Sequence, residues 1–102
     1  MGNKNYEATF KLCGHILEIG KVQTFPSGFQ KVDVTLDCTR GNYPNHPTVT
    51  FVKDSVNLLE TFRKEDSVVI EGFIDGREWN GKRYNSLSAR SIKMVSTEEM
   101  PF

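Results

Sequence analysis

Residues 48–75 read TVTFVKDSVNLLETFRKEDSVVIEGFID, and this stretch carries the clearest structural signal in the chain. Its first part, Thr48 to Lys53, is rich in β-branched and aromatic residues and predicts a strand. Asp54 is typical of a helix N-cap, and the apolar spacing of Ser55 to Phe62 predicts a short helix after it. Ser67 to Asp75 is again apolar and β-branched, so the stretch predicts a helix between two strands.

Two more strands are predicted on the N-terminal side. Ala8 to Phe25 alternates in its first half, and Gly14 then interrupts the pattern, which is typical of a bulge or bend in a long strand. Pro26-Ser27-Gly28 predicts a turn before a strand from Phe29 to Cys38. That strand alternates cleanly, and its predicted inward residues are Val32, Val34, Leu36 and Cys38. Arg40 to Asn45 has the composition of a loop.

On the C-terminal side, Gly76 to Lys82 is predicted as a hairpin loop because Asn80-Gly81 is a strong turn dipeptide. Arg83 to Val95 is the fifth strand. Three strands, a short helix and two strands is the element order of the OB fold. We therefore predict an all-β, five-stranded OB-fold barrel with one short helix between strands 3 and 4, although other five-stranded barrels fit the same pattern. OB folds bind oligonucleotides or oligosaccharides on the strand 2–3 face and in the 1–2 and 4–5 loops.

The chain of 102 residues is long enough for one domain, and its 13 Lys/Arg balance its 13 Asp/Glu. Glu98 and Glu99 lie in the last seven residues, so the rest of the chain carries 13 basic and 11 acidic residues.

No apolar run approaches the roughly 18 residues of a membrane span, and no signal-peptide pattern opens the chain. We expect a cytoplasmic protein.

Neither a metal site nor an enzyme is expected. The candidate metal ligands Cys13, His15, Cys38 and His46 have no C-x-x-C or H-x-x-x-H spacing, and the two cysteines are expected to be buried thiols. The chain also lacks a Gly-rich phosphate loop, and its two histidines are scattered, so we expect no catalysis and no cofactor.

Short motifs along nearly the whole chain resemble the bacterial and phage single-stranded DNA-binding proteins. They occur in that family's order: Leu12-Cys13-Gly14-His15-Ile16, Val22, Phe25-Pro26-Ser27-Gly28, His46, Val49, Phe51, Lys53, Arg63-Lys64, Val69-Ile70-Glu71-Gly72, Arg77, Trp79, Gly81, Arg83 and Tyr84. The final residues are similar to the family's acidic Pro-Phe tip: Glu98, Glu99, Met100, Pro101 and Phe102. Two features depart from the family: almost no linker precedes the tip, and Asn45 stands where a stacking tryptophan is expected. A phage-type or reduced member fits these departures.

The resemblance implies a protein that binds and protects single-stranded DNA without regard to sequence. It implies an OB-fold domain over 1–95 and, over 96–102, a tip that recruits replication, recombination and repair proteins. His46 matches a family position near a subunit contact, which implies a homo-oligomer, either dimer or tetramer. The alternative function is an OB-fold replisome or primosome adaptor with weak nucleic-acid binding. A single-stranded RNA binder is disfavoured because the closely spaced aromatic strand motifs of that group are missing.

Binding to single strands needs flat rings for bases and cations for phosphates. Trp79 is the first candidate ring because it lies in a polar hairpin, where no core needs it. Phe51 is the second, on the resemblance alone, since Val49 shares its face and the residue also fits a core. The other candidate rings are in loops or at their edges: Tyr43, Phe25 and Phe29. The candidate phosphate contacts are Lys31, Lys53, Arg77, Lys82, Arg83, Lys21 and Arg40.

Overall fold

The computed structural model describes residues 6–95. As predicted, one short helix follows the N-terminal strands along the chain and precedes the last two strands. A 3₁₀ helix, Lys53–Thr61, lies between the fourth and fifth of six strands. The strands are β1 (Thr9–Ile19), β2 (Gln23–Thr24), β3 (Gln30–Asp37), β4 (Thr48–Val52), β5 (Ser67–Trp79) and β6 (Lys82–Met94). The predicted first strand is thus divided into β1 and β2. No helix in this part of the chain has the length and apolar character needed to cross a membrane.

The sheet closes because β1 has two neighbours. It pairs antiparallel with β5 from Thr9 to His15, and then with β3 from His15 to Ile19. The strand order is β1-β5-β6-β4-β3-β2, with the β1–β3 pairing joining the two sides. At the changeover, a Cβ on Gly14 would lie 2.4 Å from the backbone oxygen of Asp37, so only glycine fits. The predicted interruption at Gly14 is therefore a close approach of strands. The bulge itself lies further on, between Ile16 and Glu18.

The barrel is filled by the inward residues of the strands and closed at one end by the 3₁₀ helix. The predicted alternation of β3 is confirmed for Val32, Val34 and Leu36, which are fully buried. Cys38, also predicted to face inward, lies beyond the end of β3 and is only partly buried. From the helix, Val56 and Leu59 are buried, three residues apart, as expected for a helix with three residues per turn. The helix N-cap is Val52 and not the predicted Asp54. The Ser55 hydroxyl satisfies this end, since it accepts from the Val52 N–H and donates to the Val52 carbonyl oxygen.

The largest difference from the sequence prediction concerns residues 76–82. They are not a loop, because β5 continues to Trp79 and β6 begins at Lys82. Only Asn80 and Gly81 remain in the turn, with φ of 57° and 78°. Two positive-φ residues define the type I′ turn, whose twist matches that of the flanking strands. The hairpin is therefore regular to its tip.

Candidate nucleic-acid interface

The end of the β5–β6 hairpin projects from the barrel as a two-stranded ribbon, which we call the arm (residues 75–86). The β1 pairing with β5 ends at the Thr9–Phe73 pair, and β4 meets β6 at the Thr50–Ser88 pair. No third strand flanks the arm within residues 6–95. With five residues on each side of the turn, the arm extends about 17 Å, at roughly 3.4 Å per residue.

One face of the arm collects aromatic and cationic side chains. Directly opposed residues of an antiparallel pair project to the same side. The opposed pairs on this face are Trp79 with Lys82, Arg77 with Tyr84, and Asp75 with Ser86. We call these six side chains the outer face of the arm. Glu78, Arg83 and Asn85 alternate with them and lie on the opposite face.

The outer face offers both groups that a single strand needs. Trp79 is 66% exposed and Tyr84 48% exposed, so neither ring is needed for the core. Arg77 and Lys82 form no salt bridge with any other residue in 6–95. Exposed rings can stack on bases, and cations without acidic partners can contact phosphates.

At the root of the arm, the same face continues onto the barrel. The Arg90 guanidinium carbon lies 5.2 Å from the ring centroid of Phe73, a cation–π arrangement. Arg90 is the extra residue of a bulge, since Glu71 pairs with Ser91 and the next residue of β5 pairs with Ala89. A bulge redirects a side chain, and here it places a third cation beside an aromatic ring. The stripe of rings and cations therefore runs from the tip of the arm to the barrel wall.

The usual ligand face of the fold is formed by predicted strands 2 and 3, which correspond to β3 and β4. The side chains on its outer side differ from those on the arm. Its side chains form hydroxyl contacts: Thr35 with Thr48 at 3.1 Å, and the Thr50 hydroxyl to Asp33 at 2.8 Å. The strand residues projecting there are Lys31, Asp33, Thr35, Asp37, Thr48, Thr50 and Val52, with no aromatic ring. This part of the described chain therefore offers no stacking platform on the barrel wall.

The prediction that Phe51 stacks on bases is wrong. Phe51 has 0% exposure and pairs with Val32 on the inner side of the barrel. Its neighbours Thr50 and Val52 project outward, so the ring belongs to the core by strand alternation. A fully buried ring has no face to present to a base.

The other candidate rings lie in loops outside the arm. Phe25 and Phe29 contact each other across the turn before β3, with ring centroids 5.8 Å apart. Tyr43 is 74% exposed in the turn between β3 and β4, where it exchanges backbone hydrogen bonds with Arg40. Within residues 6–95, no aromatic ring contact joins these side chains to Trp79. Their roles stay predictions.

The candidate phosphate contacts are divided in the same way. Arg77 and Lys82 are beside Trp79, whereas Arg83 projects from the opposite face of the arm, so it is not part of this cluster. The other candidates lie elsewhere: Lys31 on the outer side of β3, Lys53 at the start of the helix, and Lys21 and Arg40 in loops. Sequence reasoning left Tyr84 and Arg90 outside the site. Treating Asn80-Gly81 as a two-residue turn would have paired Tyr84 with Arg77.

A second polar cluster lies where β1 and β3 meet. Hydrogen bonds from the Thr39 hydroxyl and amide lower the pKa of Asp37, with smaller contributions from His15 and His46. The imidazole Nε2 atoms of these histidines lie 3.5 and 3.8 Å from the Asp37 carboxylate. Neither Cys38 nor Cys13 is in a disulfide, and both are only partly buried and not fully buried as predicted. Partial burial raises the pKa of the Cys38 thiol. Across residues 6–95 no set of three His, Cys, Asp or Glu residues is placed to hold a metal ion.

Over residues 11–93 the chain matches a family described as a domain of unknown function (DUF3127). The protein belongs to the DUF3127 family. No curated protein sequence matches it. Among solved structures, this DUF3127 chain is similar to the crystal structure of the mitochondrial single-stranded DNA-binding protein Rim1 from S. cerevisiae. The identity is 16% and the TM-score 0.75, over 88% of this chain and 97% of that chain.

The similarity to Rim1 confirms the predicted fold class for this DUF3127 protein, an OB-fold barrel with one short helix, which lies between β4 and β5. The coarse part of the sequence resemblance, an OB fold like that of single-stranded DNA-binding proteins, is thereby supported. Membership of the bacterial and phage branch stays a prediction. The predicted tip, Glu98 to Phe102, lies outside the described residues.

Proposed function

We propose that this protein binds single-stranded DNA, with the outer face of the β5–β6 arm as the main contact surface. The observation that carries the proposal is the placement of two exposed rings, Trp79 and Tyr84, on one face with the unpaired cations Arg77 and Lys82. The similarity to a mitochondrial single-stranded DNA-binding protein supports the same proposal at the level of the fold.

The energetics suit a modest, sequence-tolerant binder. Each stacked base contributes roughly 1–3 kcal/mol by substitution, so two rings and a few phosphate contacts give useful affinity. Binding of this kind weakens with salt because each contacted phosphate releases counterions. A net charge of zero is compatible with it, since the cations that matter are concentrated on one face of the arm.

The remaining proposals rest on the sequence resemblance. They are protection of single-stranded DNA in the cytoplasm, recruitment of replication, recombination and repair proteins through Glu98–Phe102, and homo-oligomer formation. One structural feature supports the last of these. Among the described residues 6–95, residues 9–13 of β1 pair with β5 on one side only, and an unpaired strand edge favours association with another chain.

Fluorescence of the single tryptophan tests the proposal, because Trp79 reports directly on its own stacking. Titration with an unstructured oligo-dT should quench the emission strongly and saturably. Trp79→Ala should weaken binding about tenfold, as expected for one stacked base, while Trp79→Phe should restore part of the affinity. Unchanged fluorescence together with an unchanged Kd for Trp79→Ala would contradict the proposal. Retained recruitment of a protein partner would then favour the adaptor function.

A further inference from the structure

An acidic side chain lies in the middle of the proposed DNA-binding stripe. Asp75 projects from the outer face of the arm, directly opposite Ser86. The Ser88 hydroxyl donates to Asp75 Oδ2, which fixes the orientation of the carboxylate. Oδ1 has no hydrogen-bond or salt-bridge partner among residues 6–95. The carboxylate therefore keeps an open acceptor on a surface whose other charged groups are cations.

The position of Asp75 brings this acceptor within reach of a stacked base. The Asp75–Ser86 row lies between the Arg77–Tyr84 row and the Phe73–Ser88 row. Residues on neighbouring rows of one face are about 7–8 Å apart along the diagonal, a distance that aromatic and long side chains span. A base stacked on Tyr84 would extend its hydrogen-bonding edge toward the Asp75 carboxylate.

The chemistry of a carboxylate restricts which bases it can accept. An ionised carboxylate only accepts hydrogen bonds, and it repels phosphates. A strand following the stripe must therefore turn its bases, and not its backbone, toward Asp75. Cytosine carries the N4 amino donor that Asp and Glu accept, whereas thymine has the O4 acceptor at the same position.

We propose that Asp75 is a specificity-determining residue, which gives the arm a preference for bases with an exocyclic amino group, and for cytosine over thymine. The inference rests on the proposed function and deepens it. The preference is modest and is superimposed on sequence-tolerant stacking. A purely structural role for Asp75, as the partner of Ser88 in the hairpin, predicts no dependence on the base.

The test compares fluorescein-labelled (dC) and (dT) oligonucleotides of equal length by fluorescence anisotropy at pH 8 and fixed salt. One solvent-exposed hydrogen bond should make the Kd for (dC) about three- to tenfold lower than that for (dT). Asp75→Asn should bring the two Kd values together, because an amide both donates and accepts. The Kd for (dT) should stay the same or fall, since a negative charge is removed from the stripe.

Asp33→Asn is the matched control. Asp33 also accepts from a hydroxyl, that of Thr50 at 2.8 Å, but it lies on the face of β3 that carries no ring. This variant should keep the ratio of the two Kd values. Equal binding of (dC) and (dT) by the unmodified protein would overturn the inference and leave the proposed function intact, as would a preference that survives Asp75→Asn. Binding of neither oligonucleotide would contradict the proposed function, and the inference with it.

Discussion

Arg77 lies directly opposite Tyr84 in the pairing of β5 with β6, and both side chains project from the same face as Trp79. This relationship places a cation between two exposed rings on a ribbon that contributes nothing to the core. The register of one hairpin thus creates the candidate site, whereas the barrel wall beside it presents hydroxyl groups and carboxylates. Of the usual ligand sites of the fold, the proposed DNA contact therefore uses the last hairpin and not the outer side of β3 and β4.

The two cations of the outer face should determine the salt dependence of binding. Replacing Arg77 and Lys82 together by alanine should weaken oligo-dT binding and reduce the slope of log K against log salt. The slope should fall by about 0.7 for each phosphate that the variant no longer neutralises. Arg83→Ala is the control, since Arg83 projects from the opposite face of the same arm. If only the total charge of the arm mattered, Arg83→Ala, which removes one charge and not two, would lose about half as much binding free energy as the double variant.

Phe51 and Trp79 should separate stability from binding. Phe51→Ala removes a fully buried ring and should lower the free energy of unfolding by about 3–5 kcal/mol, measured by urea denaturation. Trp79→Ala removes an exposed ring and should change stability by less than about 0.5 kcal/mol while weakening DNA binding. Phe51→Leu should fold and bind DNA normally. A folded Phe51→Leu variant with reduced affinity would instead support the base-stacking role that its burial excludes.

Gly81→Ala should weaken DNA binding through the backbone of the turn. Gly81 has φ of 78°, where an L-residue with a Cβ is disfavoured by about 1–2 kcal/mol. The strain should loosen the arm, which amide hydrogen exchange of its residues would detect. Gly41→Ala introduces comparable strain in the turn between β3 and β4, at φ of 54°, and should leave the arm protected. Arm protection unchanged in Gly81→Ala would contradict a regular type I′ turn.

The Asp37 carboxyl should titrate at a lower pH than an ordinary aspartate. Hydrogen bonds from Thr39 stabilise the ionised form, so the folded pKa lies below the unfolded value. The resulting stability is present above the unfolded pKa and is lost as pH falls through the folded one. Thr39→Val should raise the pKa of Asp37 toward its ordinary value in a carboxyl-carbon NMR titration. An unchanged pKa in that variant would assign the shift to the backbone amide of residue 39 and to His15 and His46, all of which the substitution leaves in place.

The strand pattern could be predicted from the sequence wherever one side of a strand is buried. The alternation in β3 identified its three buried residues, and the apolar spacing of residues 55–62 located the helix. The arm could not be found this way, because both of its faces are exposed and its sequence therefore does not alternate between buried and exposed residues. Its extent could have been derived from Asn80-Gly81, because a two-residue turn there fixes the pairing of Trp79 with Lys82, but the sequence prediction assigned residues 76–82 to a loop.

Phe51 shows how resemblance and physical pattern can disagree. The local pattern alone already placed Phe51 on the same face as Val49, and both are fully buried. The resemblance assigned a stacking role to Phe51. The alternation of β4 instead directs the ring into the core, where it cannot contact a base. Trp79, by contrast, was identified from its polar surroundings, a signal that does not depend on matching another protein.

Aromatic ¹H–¹³C NMR spectra recorded during addition of a short single-stranded oligonucleotide test the central claim most directly. The signals of Trp79 and Tyr84 should shift together and saturate with the measured Kd, while the Phe51 signals, sealed in the core, should hardly move. If DNA binds but the Trp79 and Tyr84 signals stay in place, the outer face of the arm is not the DNA contact surface.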